Sequence, residues 1–193
     1  MAKSLMEEIN DRKLQEVLND GESVQWQGRA EPFSLTGGKN KKKYLTRCLI
    51  SAVCFIVITA AYALLVSSSE RANFSYVLVA VVAVVCLYVA LLPKIDARKV
   101  MKKCSYYITD QRYIEIIDSK EVLALPRKDV NVKVMDAEDG CITIALGAAV
   151  GKPEKKYLVA TIAGVKDSDT EKTIGVVFYN VKDGKRLREL LGK

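Results

Sequence analysis

Residues 48–93 are apolar almost without interruption. Residues 48–69 and 72–93 form two runs of 22, uncharged throughout, with only Glu70 and Arg71 between them. Twenty-two helical residues rise about 33 Å, close to the ~30 Å hydrocarbon thickness of a bilayer. Strands run about 5–6 residues, so these runs are too long for strands. Neither carries the polar stripe of a helix on a soluble core. The first run holds ten Leu, Ile, Val or Phe residues and the second twelve. At roughly −0.3 to −0.6 kcal/mol each, they favour insertion by at most about −3 to −7 kcal/mol per run. The pattern predicts a membrane α-helical hairpin over residues 45–93, with helices near 46–68 and 72–93 and Pro93 ending the second. Thr59, Ala63 and Ser67 make a ridge of small residues on which the second helix can pack closely.

The flanks have shorter periods. In residues 4–18, Leu5, Met6 and Ile9 share a face, and Leu14, Val17 and Leu18 are rotated from it. That predicts a short or bent helix ended by Asn19-Asp20-Gly21. Two placements stay open for it: on the C-terminal domain or at the membrane surface. Residues 22–27 alternate like a strand, with Val24 and Trp26 on one side. Gly28, Pro32 and Gly37-Gly38 then break the chain, and residues 39–43 form a basic tether.

After the hairpin the chain reads as all-β. Strands are expected at 104–109, 112–118, 121–125, 130–135, 141–146, 157–162 and 173–179, with turns at Asp110-Gln111, Ser119-Lys120 and Asp139-Gly140. Tyr113 and Ile117 share one face, Ile114 and Ile116 the other. Val130, Val132 and Val134 point inward, and Ile142, Ile144 and Leu146 share one face. Residues 164–172 read as polar and exposed. Asp183 is a candidate N-cap for a last helix striped by Leu187, Leu190 and Leu191, with Val181 stapled beneath. The fold class expected is a membrane hairpin plus an all-β domain: seven antiparallel strands in meander order, bent into a sandwich or open barrel, with a C-terminal capping helix. The divisions are 1–44, 45–93 and 98–193.

Charge orients the hairpin. Lys39, Lys41, Lys42, Lys43 and Arg47 precede it, and Lys94, Arg98, Lys99, Lys102 and Lys103 follow it, against Arg71 alone in the turn. The positive-inside rule then puts both termini in the cytoplasm of a multi-pass protein of the cell (inner) membrane. Tyr44, Tyr76 and Tyr88 fall near the expected interfaces. Lys39, Lys41, Lys42, Lys43, Arg98, Lys99, Lys102 and Lys103 are candidate contacts for anionic lipid headgroups. The net charge of +7 is mixed along the tail, with no basic stripe interleaved with aromatics, so nucleic acid is not an expected partner.

The chain has no histidine and five cysteines without a CxxC pair. His-based acid–base catalysis is thereby excluded, and no metal site or cofactor is expected. No Gly-rich phosphate loop or nucleophile motif occurs. Asp110, Arg112, Glu115 and Asp118 read as turn and solvent-face residues, so no enzyme is expected.

Several segments resemble a known family. Tyr106-Tyr107-Ile108-Thr109-Asp110-Gln111-Arg112-Tyr113-Ile114 is similar to the opening Y-x-hydrophobic-T-x-x-R hairpin of bacterial PH (pleckstrin-homology) domains. Residues 125–134 resemble their third-to-fourth strand passage, and Gly140-Cys141-Ile142-Thr143-Ile144 their G-x-I-x-I strand. Residues 21–29, with Gly21, Glu22, Trp26, Gly28 and Arg29, look like the GE-x-x-x-W-x-G-R segment that precedes a membrane hairpin in this group. The resemblance covers about residues 18–192. It implies a membrane-anchored cytoplasmic PH-like module without known enzymatic chemistry, and it supplies no catalytic residues. Unlike phosphoinositide-binding PH domains, the first hairpin turn carries one basic residue, Arg112. The function expected is a non-catalytic binding or scaffolding module that recruits an unknown protein partner or copies of itself. The alternatives are an anionic-lipid sensor that organises the membrane, and a small transporter or channel subunit.

Overall fold

The computed structural model describes residues 5–37, 40–68, 73–137, 139–151 and 164–192, without the side chains of Asn40 and Lys43. In chain order the elements are α1 (Leu5–Val17), β1 (Val24–Gly28), α2 (Asn40–Ser67), α3 (Tyr76–Lys103), β2 (Cys104–Thr109), β3 (Arg112–Ile117), β4 (Glu121–Pro126), β5 (Val132–Asp136), β6 (Ile142–Gly147), β7 (Val165–Lys166), β8 (Thr173–Val181) and α4 (Gly184–Leu190). They form two compact units, Met1–Phe33 with Asp96–Lys193, and Ser34–Ile95. The chain leaves the first unit after β1, builds the second, and returns.

The second unit is a pair of long apolar helices. The most apolar 18-residue windows of Tyr44–Ser67 and Tyr76–Lys103 have mean hydropathies of 2.6 and 2.7, and only 6% of each window is buried. From Cys48 onward, the half-buried positions of α2 are Cys48, Phe55, Thr59, Tyr62 and Val66 around the buried Ser51. Their three- and four-residue spacing is that of one helix face. Ala63 and Ser67 are exposed, so the expected small-residue ridge keeps only Thr59 in this seam. On α3 the corresponding stripe is Val79, Ala83, Cys86 and Ala90, small side chains that admit close approach. Ser51 Oγ donates to Cys86 O at 2.6 Å, and Tyr62 Oη accepts from Ser75 N–H at 2.9 Å.

Pro93 does not end α3, contrary to the sequence expectation; it lies inside a helix of 28 residues. A proline has no N–H to give the carbonyl four residues back, here Val89 O. Arg47 Nε donates to that carbonyl at 3.1 Å. A side chain from α2 thus meets the backbone acceptor that the proline leaves open.

In the first unit, two antiparallel four-stranded sheets have the orders β1-β2-β3-β4 and β5-β6-β8-β7. The described strands do not close a barrel. The expectation of seven strands in meander order is corrected in two ways. β1 joins the first sheet by pairing with β2, Trp26 opposite Ile108 and Gly28 opposite Tyr106. The second sheet is not a meander, because β8 lies between β6 and β7. Part of 164–172, expected to be polar and exposed, is the short strand β7, paired to β8 from Val165 to Gly175. The strand expected at 157–162 lies outside the described residues.

Between the sheets lies the main core, which includes Tyr106, Ile108, Ile144, Leu146, Phe178 and Leu187. Val130, Val132 and Val134 pack against it. Phe178 stacks on Tyr106 with ring centroids 4.9 Å apart. Trp26 lies beside it at 6.3 Å, and a Cβ at Gly28 would collide with the Trp26 ring. The glycine two residues on is therefore what lets this tryptophan fold over its own strand.

α1 settles the placement that the sequence left open. Leu14 packs with Tyr107, Ile114 and Ile116 on the outer face of the first sheet. Asp118 and Ser119 take positive φ (54° and 55°), and Lys120 N–H donates to Ile117 O at 3.1 Å. This pair fits the twist of the β3–β4 hairpin and sits one residue before the expected turn. Asp183 precedes α4 but is not a side-chain cap. It lies in the left-handed region (φ 66°, ψ 35°) and makes no capping bond. α4 is held by its stripe instead, with Leu187 fully buried and Leu190 and Leu191 partly so.

Candidate functional site

The basic residues fall on helix ends. Lys41 and Lys42 are exposed on the first turn of α2. With Leu45, Thr46 and Leu49 they line an open groove of about 620 Å³. Lys39 and the Lys43 side chain lie outside the described residues. Arg98, Lys99 and Lys102 are exposed on the last turns of α3, opposite a stripe of buried Ala97, Val100 and Cys104. Cations here also suit the negative end of the helix dipole. Lys103 differs from them. Its Nζ is 2.6 Å from Asp118 Oδ2, and this bond holds the Asp118 carboxyl below its ordinary value.

α3 runs into β2 without a linker, Lys103 being followed directly by Cys104. Asn10 of α1 clamps that junction. It is 1% exposed, and its Nδ2 donates to Lys103 O at 3.1 Å and Ser105 Oγ at 2.9 Å. Its Oδ1 accepts from Ser119 N–H at 2.9 Å. One buried amide thus ties three segments and leaves its own polar atoms satisfied.

A second cluster joins two of the sequence motifs, one from each side of the apolar helices in the sequence. Glu22, just before β1, accepts from Thr109 Oγ1 at 2.6 Å and from Arg112 Nε at 3.1 Å. Its other oxygen accepts from Arg112 Nη2 at 2.5 Å and from Asn19 N–H at 2.9 Å. Arg112 also donates to Val17 O at 3.0 Å, at the end of α1. The guanidinium holds the Glu22 carboxyl down at about 2 despite its burial. Arg112 is therefore a partly buried structural cation, not the solvent-face residue the sequence suggested.

Glu115, also expected on the solvent face, is 0% exposed. It stands on the core face of β3 between Tyr113 and Ile117, opposite Tyr106 on β2 and Leu123 on β4. Among the described residues, neither carboxyl oxygen has a well-formed hydrogen bond, and neither does Tyr106 Oη. Burial raises the Glu115 carboxyl well above its ordinary value; the Gly164 N–H and the Cys104 thiol offset this only in part. Burial also pushes the Cys104 thiol up. Burial thus favours the neutral acid over the carboxylate at this site. The alternation Tyr-Ile-Glu-Ile-Ile gives no sign of it, because a charged residue in a strand usually marks the wet face. The signal available is Glu115's parity with Tyr113 and Ile117.

Chemically, these clusters offer ion pairing and proton uptake. Among the described residues no group of three His, Cys, Asp or Glu side chains is placed to hold a metal. Comparison of the chain with protein-family models, curated proteins and solved structures finds no match.

Proposed function

We propose that the chain is a membrane-anchored, non-catalytic binding module. In this reading α2 and α3 cross the bilayer, and the two-sheet unit is a PH-like domain on the cytoplasmic side that recruits a protein partner or a second copy. The observation that carries the anchor is the exposure of large apolar side chains. Leu49, Ile56, Leu64, Leu65, Val77 and Val84 are each 63–74% exposed. In water such a surface costs about 25 cal/mol per Å², and contiguous apolar patches beyond a few hundred Å² are rare on soluble monomers. Hydrocarbon removes that cost. The cytoplasmic side rests on the ten basic residues that flank the runs, against one in the turn. Two four-stranded sheets with a C-terminal helix are consistent with the PH-like reading, as are the motif residues Glu22, Thr109 and Arg112, which meet in one cluster.

The exposed Arg98, Lys99 and Lys102 favour anionic lipid as a second reading. Each cation near such a surface is worth about 1 kcal/mol.

The test uses the full chain with its five cysteines changed to alanine. Membranes carrying it should keep it in the pellet after alkaline carbonate. An impermeant maleimide added to intact cells should label Ser75→Cys, and should label Ser168→Cys only after lysis. Extraction by carbonate, or labelling of Ser168→Cys from outside, overturns the anchor or its orientation. Crosslinking in the same membranes should trap a stoichiometric partner or a dimer. A lone monomer that binds anionic vesicles in place of a partner turns the function to lipid.

A further inference from the structure

Glu115 has no use in the anchor or in the scaffold reading, and an apolar residue of its size would suit the site better. A buried acid whose oxygens lack well-formed hydrogen bonds costs stability. Its surroundings are specific. Cys104 and Tyr106 of β2 lie on one side of it. Towards the end of the sandwich the charged groups acting on it are Glu121, at the start of β4, and Lys99 on α3. Over that end, β4 and β7 are joined by Lys166 Nζ to Glu121 Oε1 at 2.8 Å, both side chains about two-fifths exposed. Gly164, just before β7, is seated so closely that a Cβ there would collide with Gly175 O and crowd the Leu123 methyl. Among the described residues, one surface ion pair and one glycine contact thus close the corner above a carboxyl whose ionisation burial opposes.

We propose that Glu115 is a proton-operated latch on the corner between β4 and β7. As the acid it lies between the sheets; as the carboxylate it favours a parted corner, where it reaches water and the ammonium groups of Lys99 and Lys166. Opening releases one proton. The opening constant therefore rises about tenfold per pH unit, until the carboxyl ionises in the closed state as well. Lys166 and Glu121 set the level of opening and Glu115 sets its slope.

Hydrogen exchange of the full chain in detergent, from pH 6 to pH 8 and corrected for intrinsic rates, tests this. In the wild type, β4 and β7 amides should lose protection about tenfold per pH unit, while β6 amides stay protected. Glu115→Gln should flatten that slope. Lys166→Met should raise exchange severalfold at every pH and keep the slope. If Glu115→Gln does not melt cooperatively, Glu115→Met replaces it, with the same flat profile expected. A slope unchanged in the Glu115 variant, or no slope in the wild type, overturns the proposal. Equal loss of protection in β4, β6 and β7 does so too, since it would mean global unfolding and no corner.

Discussion

Two glutamates illustrate how position decides chemistry. Glu22 is buried with Arg112 against it and is held at about 2; Glu115 is buried with no cation among the described residues in contact with it, and is raised. A carboxyl whose folded-state value lies below its unfolded value stabilises the fold above that unfolded value. The gain is lost as pH falls through the folded one. For Glu22 the window runs from about 4.5 down to about 2, and the effect is on the order of 3 kcal/mol. Glu22→Gln should therefore show a smaller acid-induced loss of stability than the wild type over that window, in chemical denaturation series at fixed pH. At pH 7 the same variant should be about 3–5 kcal/mol less stable, since Arg112 is left without its counter-charge.

At the scale of elements, α2 and α3 are legible in the sequence because their apolar runs exceed any strand. Their contact is not, because it depends on backbone atoms. No composition rule indicates that Arg47 reaches Val89 O, or that Pro93 sits within a continuing helix. If Arg47 answers the missing N–H of Pro93, the two residues are energetically coupled. Arg47→Leu should cost roughly 1–3 kcal/mol with Pro93 present, and distinctly less in a Pro93→Ala background, where the substituted residue supplies the donor. Unfolding in mixed micelles by added SDS measures all four corners of that cycle. α1 is hard to read for a related reason. Its apolar positions rotate along the helix because Asn10, a polar residue, occupies the seam between Met6 and Leu14. The inward faces of β5 and β6 alternate cleanly with the strand period and are legible directly. Glu115 reverses that rule at an inward position.

Taken whole, the molecule is one β domain whose first strand is separated from the rest by the apolar helices. This arrangement is hidden in the sequence, because Val24 and Thr109 are neighbours only through long-range pairing. Replacing Ser34–Ile95 with a flexible glycine–serine linker should yield a water-soluble protein. It should keep its strand content by circular dichroism and melt in a single transition. An insoluble or non-cooperative product would mean that the sheets need the helices.

The pairing of β1 with β2 also fixes a parity. Two strands that share hydrogen bonds must occupy the same aqueous compartment. Any path between them across a bilayer must then cross it an even number of times. With two helices available, the count is nought or two. A form with one helix inserted and the other left outside is forbidden to the folded protein, so the α2 and α3 segments enter lipid together or stay out together.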